Sequence, residues 1–175
     1  MKKYVAFLRA INVGGTKIIK MEDLKRMFDS FGLYNVQTYI QSGNVIFESK
    51  ESDALLLEAK IENQLAKALG YKVAVFVRTM QEINSISDKS PFEPIENETV
   101  HVVFLRGGPD KATGKALTSL NGEADKFMVK GREVFNLRRD RDKSVFSNNF
   151  VEKILKTPAT TRNLTTIRKI VEKYK

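Results

Sequence analysis

A repeated pattern constrains the fold of this 175-residue chain more than any other feature of the sequence. Residues 5–9 read VAFLR and are matched 97 positions later by residues 102–106, which read VVFLR. Residues 43–47 (GNVIF) are matched at an offset of 88 by residues 131–135 (GREVF). Between these two matched segments, each half has similar secondary-structure elements in the same order, as expected for an internal repeat. The chain therefore predicts two copies of one structural unit.

The periodicity of apolar residues predicts the elements of each copy. In the first half it predicts strands at 3–11, 36–40, 45–48 and 72–78, and helices at 21–31 and 54–68, with Ser52 as the N-cap of the second helix. A capping box of Thr79 and Glu82 then predicts a short helix to about residue 87. In the second half the same order runs from a strand at 102–106 through helices near 111–120 and 150–155 to a short strand at 159–162, before a closing helix.

This order predicts an α/β (α+β) fold of two tandem ferredoxin-like βαββαβ halves, packed as one compact body with a C-terminal helix. We place the first half at residues 1–90, a turn-rich linker at 91–98, and the second half with the C-terminal helix at 99–175. Because the two offsets differ by nine, the first half has nine more residues between its two matched segments than the second half. The loop after the first strand, near residues 11–20, is the clearest extra segment. Loops beyond strand ends often carry ligand sites.

Three polar segments are the candidate ligand-binding regions. The loop after the first strand can expose backbone N–H groups to an anion, or its glycines can simply make a tight turn. The first hairpin has polar side chains that can bind a ligand, although a glycine shared with the second half also fits a turn common to both halves. The segment before the last helix suits an anion or plain helix capping. The candidate residues are Arg9, Asn12, Gly14, Gly15, Gln41, Ser42, Asn44, Thr160, Thr161, Arg162 and Asn163.

The same three segments resemble the signature of a known family. Residues 4–15 (YVAFLRAINVGG), 39–45 (YIQSGNV) and 158–163 (PATTRN) are similar to motifs of the bacterial DUF1697 family. The resemblance implies two ferredoxin-like units in one α/β body, and it implies no activity, because the family is one of unknown function. The chain departs from the family pattern at Ala10, where glycine is common, and near Leu164, where an aromatic residue is common.

The composition of the chain argues against several kinds of functional site. The chain has no cysteine and one histidine, His101, inside an apolar run, so we expect no metal site, no thiol chemistry and no cofactor, and a structural role for the histidine. Arg9 ends the first apolar run too early for a signal peptide, and no other run approaches a membrane span. We therefore expect a soluble cytoplasmic protein.

The net charge of +9 is distributed unevenly along the sequence. Residues 1–100 hold 13 basic and 13 acidic side chains, whereas residues 101–175 hold 17 and 8. The densest basic run, called the basic patch below, is Arg138, Arg139, Arg141 and Lys143. Such a surface fits a polyanion partner or a solvated face without one.

Two functional hypotheses remain. The first is a binding protein for a phosphate-bearing small ligand or for nucleic acid, the latter weak and electrostatic because no base-reading module is present. The alternative is a small-molecule enzyme without metal or thiol chemistry. In either case we predict that the three polar segments converge on one cleft.

Overall fold

The computed structural model describes residues 1–12 and 18–175, which form two compact units. Unit 1 comprises residues 1–84 and 173–175, and unit 2 comprises residues 85–172. The domain limits predicted from the sequence, 1–90 and 99–175 around a 91–98 linker, stay predictions.

Unit 1 is built on an antiparallel sheet of four strands in the order β2-β3-β1-β4. Gly32 adopts a left-handed φ of 77° just beyond the first helix, as predicted for its C-terminal end. The elements are β1 (Lys2–Leu8), α1 (Met21–Ser30), β2 (Tyr34–Tyr39), β3 (Asn44–Ser49), α2 (Ala54–Leu69) and β4 (Val75–Thr79), followed by α3 (Met80–Asp88).

Unit 2 repeats this sheet in the order β6-β7-β5-β8. Strand β5 occupies the position of β1, so the predicted duplication is confirmed. The strand order and the alternation of elements are those of a ferredoxin-like unit. The elements are β5 (Thr99–Leu105), α4 (Lys111–Thr118), β6 (Asp125–Lys130), β7 (Glu133–Arg138), α5 (Asn148–Leu155), β8 (Ala159–Asn163) and α6 (Leu164–Tyr174).

Helix starts are set by local side-chain hydrogen bonds. Thr79 and Glu82 form the predicted capping box, in which the Thr79 N–H donates to the Glu82 carboxylate and the Glu82 N–H to the Thr79 hydroxyl. The predicted N-cap of α2 is wrong by one residue. Asp53, rather than Ser52, accepts from the N–H groups of Leu55 and Leu56, because the helix begins at Ala54.

The sheet register corrects the predicted equivalence of the two hairpin glycines. The N–H of Leu8 donates to the carbonyl of Gly43, whereas the N–H of its counterpart Leu105 donates to the carbonyl of Arg132. The hairpin of unit 1 has four residues between its strands, and that of unit 2 has two, because Lys130 pairs with Glu133. Gly43 and Gly131 are therefore not equivalent, and the shared-turn explanation of the first hairpin is wrong.

The equivalent edge strands are held by equivalent carboxylates. Val75 opens β4, and its N–H donates to Glu62 Oε1 over 2.9 Å. Ala159 opens β8 at the same register position, and its N–H donates to Glu152 Oε1 over 2.8 Å. Register also makes Arg78 and Arg162 equivalent, and both guanidiniums are buried and donate to the carbonyl of the preceding residue. The duplication thus extends to polar side chains.

Candidate functional site

The loop after β1 and the first hairpin lie against each other. The side-chain amide of Asn12 donates to the carbonyls of Ile19 and Gln41, each over 3.0 Å, and its oxygen accepts from the Ile19 N–H. The Asn44 amide donates to the Tyr39 carbonyl and to the Ser42 hydroxyl. Two of the predicted polar segments are therefore joined in unit 1.

The backbone of this junction is strained. Ala10, Asn12 and Ile40 have left-handed φ values of 54°, 56° and 48°, and Gly43 has a φ of 79°. A β-branched residue such as Ile40 rarely adopts this conformation. Strain of this kind persists only where the surrounding structure enforces it, and it is concentrated at functional sites.

The candidate residues of this junction divide into structural and exposed groups. Asn12 and Asn44 are engaged in the hydrogen bonds that hold the loop and hairpin. Gln41 and Ser42 have exposed side chains, and Arg9 is half-buried with its backbone N–H bonded to Ala74. Gly14 and Gly15 lie outside the described residues.

The third polar segment lies in unit 2 and is mostly a strand. Thr160 and Arg162 are buried, and the Arg162 guanidinium donates to the Thr160 hydroxyl and the Thr161 carbonyl. The Thr161 hydroxyl donates to Asn148, and Asn163 is exposed. Burial lowers the pKa of Arg162 to about 10, which leaves it charged at neutral pH. The convergence of this segment with the first hairpin stays a prediction.

The basic patch is partly neutralised by nearby carboxylates. Arg139 lies 3.5 Å from Glu98, and Lys143 lies 3.9 Å from Asp140. The charge is also shared more evenly than the sequence halves indicate. Unit 1 holds 14 basic and 9 acidic side chains, a net +5, and unit 2 holds 16 and 12, a net +4. The excess of residues 101–175 falls from +9 to +4 in unit 2 because this unit includes the acidic residues 85–100, a net −3, and because Lys173 and Lys175 belong to unit 1.

Unit 1 also has a polar cavity that the sequence did not reveal. Its volume is about 640 Å³, within the range of small-ligand sites. Edge strand β2, its neighbour β3, the start of β1, helix α1, the end of α6 and Lys175 supply the lining. The charged and amide side chains of the lining are Lys3, Lys25, Lys173, Lys175, Asp29, Glu48, Asn35 and Gln37.

The lysines of the cavity are positioned by weak or partial interactions. The Lys3 ammonium donates one hydrogen bond, of 2.8 Å, to the Tyr174 carbonyl. The Lys173 ammonium lies 5.3 Å from the centre of the Tyr174 ring and 5.8 Å from that of Tyr39. Lys25 pairs with Asp29 at 2.6 Å. Since each ammonium has three donors, Lys3 and Lys173 keep donors for a ligand.

A β-bulge shapes the wall of the cavity. The pairing of β2 with β3 shifts by one residue between Tyr34 and Gln37, and Asn35 has a φ of 50° there. The Asn35 amide donates to Glu48 over 3.0 Å. The equivalent strand β6 pairs with β7 without a shift. The bulge is therefore not required by the repeated fold, and bulges are frequent beside functional sites.

Two classes of site receive no support from the described residues. Within residues 1–12 and 18–175, no group of three or more histidine, aspartate or glutamate side chains is arranged to hold a metal ion. No helix in this part of the chain combines the length and the apolar character needed to cross a bilayer.

The fold and the cavity define a duplicated ferredoxin-like α/β protein with a basic polar cavity in its first unit. The family model "Protein of unknown function (DUF1697)" matches residues 1–135, and the chain belongs to this family. Among solved structures, the chain is similar to the conserved bacterial protein SP0830 from Streptococcus pneumoniae, with a TM-score of 0.75 and 24% identity over 98% of this chain and 97% of that chain. This likeness concerns the fold. No curated protein matches the chain.

Proposed function

We propose that the protein binds a phosphate-bearing small molecule in the polar cavity of unit 1. The observation that carries the proposal is a concave site of ligand size whose lining holds four lysines against two carboxylates. A cavity with this excess of cations favours an anion, and its polar walls disfavour an apolar ligand. Ammonium groups are common phosphate-binding groups in proteins.

The geometry favours a compact anion over a long polymer. Lys3 at the start of β1 contacts the Tyr174 carbonyl, and Lys173 at the end of α6 contacts the Tyr174 ring, so both ammonium groups lie beside one residue of the cavity wall. The Asn35 bulge turns the edge of β2 at the same wall. The exposed Gln41 and Ser42 form a separate candidate site at the hairpin, and they are the second place to look for a ligand.

The proposal is tested by calorimetric titration with inorganic phosphate, pyrophosphate and a nucleoside triphosphate. The test variant is Lys25→Gln, Lys173→Gln and Lys175→Gln combined. The matched control is Lys60→Gln, Lys67→Gln and Lys72→Gln, which removes the same charge from exposed positions of the same unit. Lys3 is retained because it bonds the Tyr174 carbonyl.

We expect the test variant to lose at least about tenfold in affinity, equivalent to about 1.4 kcal/mol, and the control to lose far less. Equal losses in both variants would show that only the overall charge attracts the ligand. Loss of binding through Gln41→Ala with Ser42→Ala, and not through the cavity lysines, would place the ligand at the hairpin. An oligonucleotide that binds more tightly than every small phosphate would overturn the proposal in favour of nucleic acid.

A further inference from the structure

A second polar cluster, in unit 2, surrounds the single histidine of the chain. In the sheet, His101 of β5 lies opposite Asn136 of β7 and Asn163 of β8. The His101 Nδ1 atom is 3.0 Å from Asn136 Oδ1, and the Asn136 amide nitrogen donates to Asp125 Oδ1 over 3.0 Å. Since the amide presents its oxygen to the ring, Nδ1 carries the proton. Nε2 is then left with a lone pair.

The cluster is rigidly held. The buried Asp125 carboxylate also accepts from the Ser144 hydroxyl over 2.8 Å and from the Val145 N–H over 2.9 Å. The His101 ring stacks on Phe146 with a centroid distance of 4.5 Å. The Asn136 amide oxygen, with the amide itself held by Asp125, fixes the tautomer and orientation of the imidazole through its Nδ1–H and leaves Nε2 as an acceptor.

Burial favours the neutral imidazole, and the nearby Arg138 is a cation that can pair with an anion. Burial lowers the pKa of His101, and Arg138 lowers it further, while Asn136 and Asp125 act in the opposite direction. Arg138 lies opposite Thr99 and Asp125 in the sheet, two residues along β7 from Asn136 and therefore on the same face of the sheet. The Arg138 side chain is half-buried.

The first unit serves as an internal control for the structural role of this cluster. The positions equivalent to His101 and Asn136 are Tyr4 and Phe47, by the register of β1 with β3. Tyr4 and Phe47 stack with a centroid distance of 5.7 Å. The fold thus accommodates an aromatic pair at these positions, so folding alone does not explain a hydrogen-bonded histidine in unit 2.

We propose that unit 2 holds a small hydroxylated anion, a phosphate or a carboxylate, beside Arg138, and that His101 Nε2 accepts a hydrogen bond from its hydroxyl. The anionic group of the ligand then pairs with the Arg138 guanidinium. Asp125 acts through Asn136 by holding the imidazole in the tautomer that leaves Nε2 as the acceptor. This site is independent of the cavity in unit 1.

The experiment is a pH titration of the ¹⁵N-labelled protein followed by NMR, because one histidine gives one pair of ring nitrogen signals. The probes are glycerol 3-phosphate and glycolate, with inorganic phosphate and acetate as controls without a carbon-bound hydroxyl. We expect the Nδ1–H tautomer in the free protein. At a pH where the imidazole is neutral, a hydroxylated probe should shift the Nε2 signal because its hydroxyl donates to this atom, and the two control anions should shift the signal far less. An equal shift by the control anions would overturn the proposal.

Arg138→Gln should weaken this response at least tenfold, whereas the matched change Arg141→Gln, at an exposed neighbouring position, should leave it unaltered. An Nε2–H tautomer would overturn the proposal. So would an Nε2 signal that none of the probes moves, or an equal effect of the two arginine variants. Retention of the response in the triple lysine variant of unit 1 is expected, and it separates failure of this site from failure of the phosphate-binding cavity.

Discussion

The substitution Gly43→Ala tests the close contact between the first hairpin and the loop after β1. Its φ of 79° lies in the left-handed region, and a Cβ added there would meet Ile11 Cδ1 at 2.6 Å, Ile11 Cγ1 at 2.8 Å and Leu8 Cβ at 3.0 Å. The apolar side chains of Ile11 and Leu8 are both buried. We therefore predict that Gly43→Ala destabilises unit 1 through two separate effects.

The two effects can be separated with a matched glycine. Gly32 has nearly the same φ, 77°, but a Cβ there would meet nothing within 4 Å. Left-handed backbone costs a residue with a Cβ about 1–2 kcal/mol, and this cost applies to both positions. Overpacking of a filled core adds about 1–3 kcal/mol, and this cost applies only to Gly43. We expect a loss of about 2–5 kcal/mol for Gly43→Ala and about 1–2 kcal/mol for Gly32→Ala.

The measurement is urea unfolding of the full chain, with the free energy of unfolding compared among the wild type and both variants. Ile11→Val removes the Cδ1 atom at 2.6 Å, so the double variant with Gly43→Ala should be more stable than the sum of the single effects indicates. Equal losses at Gly43 and Gly32, or strictly additive effects of Gly43→Ala and Ile11→Val, would refute the packing argument.

Three further predictions concern capping, pH and charge. Asp53→Ala should cost about 1 kcal/mol of unfolding free energy, and Ser52→Ala close to nothing, because Asp53 alone accepts from the first turn of α2. Folding lowers the pKa of His101 from 6.5, so the unfolded chain binds more protons than the folded protein near this pH. The free energy of unfolding should therefore fall as the pH drops below about 6.5. His101→Gln should flatten this pH dependence in calorimetric scans. Neutralising Arg139 and Arg141 should lower the affinity for oligonucleotides of every sequence to the same extent. The slope of the logarithm of the binding constant against the logarithm of salt concentration should shrink by at most about 0.9 per lost phosphate contact. A preference for one sequence would contradict this prediction.

The sequence predicted the elements well because the signals for them are local. The alternating and helical periodicities of apolar residues predicted the type of the strands and helices. The capping box of Thr79 and Glu82 predicted the start of one helix. The strand predicted at residues 3–11 ends at Leu8, because Ala10 turns into the left-handed region. The predicted equivalence of Gly43 and Gly131 is wrong because the sequence match aligned two turns of different length. Equivalent positions in the two sheets are set by the hydrogen bonds between strands.

The candidate sites were predicted only in part, because they depend on residues far apart in the chain. Lys3, Lys25 and Lys173 look like ordinary surface lysines in the sequence, and the sheet and helices bring them to one cavity. The Asn35 bulge leaves no signal in the pattern of apolar residues. The sequence predicted a structural role for His101, because its partner Asn136 is identified only by the register of β5 with β7.

The duplication separates polar groups that the fold requires from those particular to one unit. Glu62 and Glu152 accept the same strand N–H in both units, so alanine at either position should leave a buried donor unpaired and cost about 1–3 kcal/mol.

His101 and Asn136 have no such counterpart, so we predict that His101→Tyr with Asn136→Phe, which transplants the aromatic pair of unit 1, keeps unit 2 folded. The larger side chains should cost about 1–3 kcal/mol through overpacking, measured by urea unfolding. Binding of glycolate, measured by calorimetric titration, should weaken in the same variant. Unfolding of the variant would show that the histidine cluster is required for the structure, and unchanged glycolate binding would show that His101 does not contact the anion.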